Sequence, residues 1–392
     1  MSLLSSFLPR GLVPQSMATI TSTTTLNYSQ DVFVLVVLVG AGGGGGAAAF
    51  ESGTSGLRAT VLAQGGQAGS VAYQLMRLKS GVDYTFTIPG TAAGGTRTGG
   101  ATGSSNGSNG GDTTLTATGL TTVRADGGLG GSATYFAGGG YTGADIGWQA
   151  AQGGSGADLI FDGGPGGFIT TPALTSTRGF SAATGGGAVN LFGLPRGNVS
   201  GGDVVQSNAS PDHPGLVTGG GGCGGQGGAI IWNTTAQGSV ATGGGGSGGS
   251  APSQGSSAAV LDGGEAALFV PGTLMSVTGA GGNGDEAGLS TAGGEGAGGG
   301  AEIFDTGSAA GSGTVTGSNG GVFGGGGGGG DGRLTDCAST IYGGNGGYGA
   351  GGGGAVTTSY SSGSLNGPIT GGTGGKGVAF VFFMTDFGKV VI

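Results

Sequence analysis

Residues 32–49 read VFVLVVLVGAGGGGGAAA. Eight apolar residues without helical spacing run straight into glycine, which predicts a strand over 27–39. Because the run is continuous rather than alternating, both of its faces are expected to be buried, at the centre of an N-terminal sheet. Eight residues are far short of the roughly 20 that a membrane-crossing helix needs. The chain then continues as a backbone almost without side chains, and the fold turns on what that backbone does.

Working outward, glycine accounts for 109 of the 392 residues, against a usual share of roughly 7 %. Charged residues make up 8 %, against roughly 25 % in ordinary soluble proteins. This composition argues against an ordinary enzyme domain. A hydrophobic content of 35 % argues equally against bulk disorder, which goes with low hydrophobicity and high charge. With 16 Phe, 8 Tyr and 2 Trp to fill a core, much of the interior must be backbone. A net charge of −9 offers no electrostatic footprint for nucleic acid or anionic membranes, so neither partner is expected. Cys223 and Cys337 lie in separate glycine tracts; a bridge between them is open, but two cysteines make no disulfide framework. Nothing clusters in the manner of a metal site, and no cofactor is implied.

Further strand signals flank the opening one. LRATVL (57–62) is mixed, and SVAYQLMRLK (70–79) is helix-compatible only briefly and could equally pair in a sheet. YTFTI (84–88) alternates and stops at Pro89 and Gly90, as a strand entering a turn does. Beyond residue 90, ten glycine cassettes between 94 and 377 alternate with short β-prone pieces. These include TTLTAT (113–118), TTVRA (121–125), DLIF (158–161), AVNLF (188–192), AIIW (229–232), AALFV (266–270), LMSVTGA (274–280), AEIF (301–304) and VAFVFF (378–383). The spacing is too uneven for a fixed-period array and too irregular for collagen. Three regions are expected: an arm over 1–26, a small N-terminal β unit over 27–90, and a glycine-rich body with display loops over 91–392. The opening MSLLSSFLPRGLVPQS lacks a basic start and a sustained apolar core, so no export signal is expected there.

Glycine loses the most conformational freedom on folding, so something must recover that entropy in every cassette. Packed polyproline-II-like runs do so: three residues per turn, no internal hydrogen bonds, and bare backbones close enough to bond sideways. The expected fold is therefore mainly β with packed polyglycine-II helices, the N-terminal unit being followed by a glycine-rich sandwich. Flexible linkers and a sheet with wide glycine loops are the competing readings.

VFVLVVLVGAGGGGGAAA, YTFTIPGTAAGG, GGDTTLTATG, ADGGLGG and the closing GGTGGKGVAFVFF together resemble the glycine-rich domain of bacteriophage tail fibre and tail-tip adhesins. The resemblance is close near 32–131 and 371–383 and loose over 27–392. It implies a stacked sandwich of polyglycine-II helices with receptor-contacting loops at its tip. It also implies a place on the virion and attachment to other tail proteins through the N-terminal region. The partner at the tip would be a host cell-surface polysaccharide or outer-membrane protein. Tail fibres are often trimers, so a homotrimer is a further implication. A purely architectural role, as shaft, capsid decoration or baseplate spacer, is the alternative.

On such a frame only the loops carry chemical character, and aromatic and polar groups there are the binding candidates. Tyr135, Phe136 and Tyr141 bracket a glycine run, with Trp148 close behind. Arg333 precedes TDCASTIY, which ends at Tyr342, and Tyr348 follows in GGYGAGGGG. His213, the single histidine, stands beside Asp212 with no nucleophile in view and reads as part of an exposed polar loop. GNVSGG lacks the strand–turn–helix setting of an esterase nucleophile, and GAGGGG lacks the helix and acid of a dinucleotide site. A non-enzymatic protein is expected.

Overall fold

A computed structural model describes residues 12–51, 59–98, 102–137, 145–173, 181–208, 215–233, 239–246, 254–255, 259–260, 280–284, 290–304, 314–331, 340–359 and 367–386. The protein is mainly β. The described residues form strands numbered β1 to β29 in chain order and one short 3-10 turn at Arg196–Val199.

The apolar run forms β3 (Val32–Val39), antiparallel to β6 (Val71–Leu78) on one side and to β29 (Val378–Asp386) on the other. β1 (Leu12–Ile20) adds outside β29, and β14 (Leu159–Phe161) outside β6. The ambiguous stretch at 70–79 is thus a strand. Both faces of β3 are covered, as continuous apolarity requires. Val34, Val36 and Leu38 pack on a second sheet through Tyr84, Phe86, Leu115 and Val123. That sheet runs β13 (Gly154–Ser155), β11 (Val123–Ala125), β10 (Thr113–Thr116), β7 (Tyr84–Thr87), β2 (Thr24–Leu26). On the opposite face Leu35, Val37, Phe380 and Phe382 meet Val189, Leu191, Cys223 and Phe323. We call these two sheets the base.

Strand pairing crosses two of the expected boundaries. Residues 12–26 of the expected arm are built into the base, because β29 would otherwise present an open ladder of backbone groups and β1 closes it. The division at residue 90 is crossed by pairing: β29 lies on β3, and β10 lies on β7. Residues 1–11 lie outside the described residues.

Beyond β3, residues 40–46 belong to no sheet, and their backbone groups bond sideways in a three-residue rhythm. Gly40, Gly43 and Gly46 donate to Ser70, Gln67 and Gln64 at 2.8–3.0 Å. Ala41 and Gly44 donate to Gly111 and Ser108, while Gly42 and Gly45 donate to Gly375 and Gly372. The carbonyls of the same run accept from Gly95, Gly128, Gly131 and Gly352. One run therefore spends its backbone groups on several neighbours in rotation, satisfying donors that no strand ladder takes up. The closeness requires glycine: a Cβ on Gly66 would fall inside the carbonyl of Gly43, and one on Gly351 inside that of Gly66.

Where a run faces solvent, asparagine replaces the missing neighbour. Asn106, Asn109 and Asp112, three residues apart, accept through their side chains from the amides of Ala133, Gly130 and Gly127, which are also three apart. On another wall Asn319 accepts from the Asn345 amide, and Asn345 from the amide and hydroxyl of Thr373.

The runs end in four stacked sheets, which we call the tip. The outermost is β24 (Thr314–Thr316), β26 (Thr340–Tyr342), β28 (Ile369–Thr370), β8 (Thr96–Arg97). Beneath it lies β23 (Glu302–Phe304), β25 (Gly329–Asp331), β27 (Ala355–Ser359), β4 (Ala47–Glu51), β9 (Gly103–Ser105). The third is β12 (Ala133–Ala137), β5 (Ala59–Ala63), β16 (Ser181–Ala183), β18 (Gly215–Val217), β20 (Ser239–Ala241), β22 (Ala259–Val260). The fourth is β15 (Ile169–Thr170), β17 (Val204–Gln206), β19 (Ile230–Trp232), β21 (Gln254–Gly255). Small residues fill the first two gaps, with Ala47, Ala49, Val315 and Ile341 in one and Ala48, Ala63, Val217 and Val356 in the next. The third gap takes Leu62, Ile169, Leu216 and Trp232.

AVNLF (188–192) is not a strand. Its backbone continues the glycine run, Gly187 bonding to Gly66 and Val189 to Phe323, while Val189 and Leu191 point into the base core. AALFV and residues 274–279 of LMSVTGA lie outside the described residues.

Candidate functional site

Strand direction decides where the connecting segments leave the body. β15, β17, β19 and β21 are mutually parallel, as are β5, β16, β18, β20 and β22. Each of β15, β17, β19 and β21 passes directly to the next strand of the adjoining sheet. β23, β25, β27 and β4 are likewise parallel, and the strands that follow them, β24, β26 and β28, are parallel to one another. The strand ends joined by segments 52–58, 174–180, 209–214, 234–238, 256–258, 305–313, 332–339 and 360–366 therefore all lie at one end, away from the base. The antiparallel pairs β12 with β5 and β28 with β8 put the C-terminal ends of β12 and β8, which 138–144 and 99–101 follow in the chain, at the same end. These segments themselves lie outside the described residues, and Tyr141, Arg333, Cys337 and His213 fall within them.

The other candidates occupy different walls. Tyr135 is 37 % exposed on β12, while its neighbour Phe136 turns inward against the Leu62, Ile169 and Trp232 cluster. Tyr342 is 37 % exposed on β26, an inner strand of the outermost sheet, and does not lie beside Tyr135. Tyr348 is half-buried against the base core, with the Lys376 ammonium 5.3 Å from its ring centre. Cys223 is a free, buried thiol whose pKa is pushed up by that burial.

Trp148 has the most developed surroundings. Its ring is 43 % exposed, meets Phe168 edge-on at 5.9 Å, and covers Gly197. The indole Nε1 donates to Asp203 Oδ1 at 3.4 Å, where the Phe168 amide also donates at 2.9 Å. Gln226 Nε2 donates to Asp203 Oδ2 at 2.6 Å. Burial pushes the Asp203 carboxyl up from 3.8 to about 6, against the pull of those three hydrogen bonds. Sequence spacing signals none of this, since Asp203 stands 55 positions from Trp148.

The sign of the resulting pH effect follows from linkage. A carboxyl whose pKa is higher in the folded chain stabilises the fold below its unfolded pKa, and that contribution is lost as pH rises through about 6. The full effect is about 3 kcal/mol. The melting temperature is expected to be higher at pH 5 than at pH 7.5, and Asp203→Asn is expected to flatten that difference. Thermal unfolding across this range, followed by tryptophan fluorescence, checks both.

The outermost sheet presents a second surface. Val315, Ile341 and Ile369 point inward and are fully buried, so the residues on either side point out. Register places Thr316, Tyr342, Thr370 and Thr96 in one row across the strands, with Thr314 and Thr340 in the next row toward the tip. Toward the base, the bridged Asn319, Asn345 and Thr373 continue the wall.

Among the described residues, no group of three or more His, Cys, Asp or Glu could hold a metal ion, and no helix is long and apolar enough to cross a membrane. No family model matches the chain, and no curated protein matches it.

Proposed function

We propose that this chain is a non-enzymatic phage virion protein of a tail fibre or tail tip, joined to other tail proteins through its N-terminal region and contacting a host-surface receptor at the tip. The observation that carries this reading is the convergence on one end of the strand ends that flank the connecting segments, opposite the sheet that holds β1 and β29. Run 40–46 separates the two ends by about 20 Å at a polyproline-II rise. Binding segments on a rigid frame are the usual division of labour between loops and scaffold. The receptor would be a cell-surface polysaccharide or an outer-membrane protein.

We read the glycine runs as polyglycine-II helices packed side by side. The rotation of hydrogen bonds among neighbours, returning every third residue, supports this, as do side-chain bridges at the same interval. Such packing explains why so many glycines are retained despite their entropic cost.

The test replaces segments 138–144 and 332–339, singly and together, with Gly–Ser sequences of equal length in the phage that encodes the protein. Particles are expected to assemble normally and to lose adsorption to their host, or to change host range. Unchanged adsorption by assembled particles would favour the architectural role.

A further inference from the structure

We propose that the outermost wall of the tip binds a linear, uncharged polysaccharide laid along the direction of the glycine runs. The residues invoked belong to β8, β24, β26, β28 and the runs after β24, β26 and β28 and not to the connecting segments, and the proposal stands whether or not the protein belongs to a phage tail.

Three observations carry it. First, Tyr342 keeps an exposed ring in the middle of a row whose other members, Thr316, Thr370 and Thr96, offer hydroxyl groups that can donate and accept. A ring face beside hydroxyls suits the apolar C–H face and polar edge of a sugar. Second, the charge pattern excludes other polymers. The protein carries −9 overall, yet these rows hold no carboxylate, and the nearby Lys376 ammonium is spent over the Tyr348 ring. Arg97 on β8 is half-buried with its Nη2 on the Thr102 carbonyl, so among the described residues these rows present no exposed cation to nucleic acid or an acidic glycan, and a protein partner would find no contiguous apolar core.

Third, the donors are already oriented. Asn345 uses its Oδ1 on the amide and hydroxyl of Thr373, which leaves its Nδ2 group as a fixed donor at an exposed position. Asn319 is held in the same way by the Asn345 amide. Along the run from β26, outward positions recur every third residue, roughly 9 Å apart. A regular polymer can engage Tyr342 and Asn345 in succession. Contacts that are weak singly then add through one chain.

Electrophoresis of the full-length protein in native gels containing amylose, a linear β-1,4-mannan or a β-1,3-glucan tests the proposal, with alginate as the acidic comparison. Retardation is expected in at least one neutral gel and not in alginate. Tyr342→Ala is expected to weaken it by about tenfold, Tyr342→Phe to preserve it, and Ile231→Ala, at an exposed position of the fourth sheet, to leave it unchanged. Thr316→Glu places a charge in the same row at an exposed side chain and is expected to weaken binding as Tyr342→Ala does, which covers the case that the alanine variant fails to fold. Retardation in no neutral gel, retardation in alginate alone, or neutral binding that survives both Tyr342→Ala and Thr316→Glu would overturn the proposal.

Discussion

Gly66→Ala is expected to destabilise the protein by roughly 3–5 kcal/mol, or to prevent its folding, although it adds a single methyl group. Three runs meet at this residue. Its amide donates to Gly352, its carbonyl accepts from Gly187, and its Cα faces the Gly43 carbonyl at a distance that leaves no room for a Cβ. In an ordinary core a side chain would swing aside. Here the obstructing atom is backbone, and Gly43 is itself held by bonds to Gln67 and Gly352, so relief in one run displaces the next. Gly90→Ala is the control, because a Cβ there meets nothing within 4 Å, and its effect should stay within about 0.5 kcal/mol. Denaturant unfolding of the two variants beside the parent decides the matter. Equal midpoints for Gly66→Ala and Gly90→Ala would mean that the runs are not close-packed in solution.

Ending the chain after Gly377 is expected to abolish folding altogether. The truncation removes β29, which stands between β1 and β3 and contributes to both base cores, with Phe380 and Phe382 on one face and Ala379 and Val381 on the other. Without it, β3 loses one neighbour along six paired positions, and β1 loses its only partner among the described strands. Val381→Asp tests the same strand without truncation. Val381 is fully buried, so an aspartate there would leave an unpaired carboxylate in an apolar core, at a cost of several kcal/mol (roughly 3–5). Circular dichroism and limited proteolysis would report either loss. A truncated chain that retains native β-structure would show that the base forms without its C-terminal strand.

The local elements were legible where the physics is local. The apolar run at 32–39, the alternation at 84–87 and the closing VAFVFF form strands because burial on two faces or one leaves its mark on the spacing of side chains. AVNLF misled because apolar residues can serve a core from a glycine run as well as from a strand, and composition does not separate the two. The pairing of β29 with both β1 and β3 joins residues at least 339 positions apart, and no periodicity encodes it. The aromatic candidates were chosen for residue type alone. The fold then sorted them, turning Phe136 inward, leaving Tyr135 and Tyr342 on separate walls, and placing Trp148 over a carboxylate that spacing could not have supplied.

The parallel layers have an evolutionary corollary. β21 and β22 end their sheets on the same side, and each strand–connector–strand unit before them repeats the step of its predecessor in the same direction. Duplicating one such unit, with its trailing glycine run, would widen the protein by one more rank without rethreading anything already in place. Lineages carrying this architecture can therefore gain or shed ranks by tandem duplication and deletion, and their girth can drift while the base stays constant.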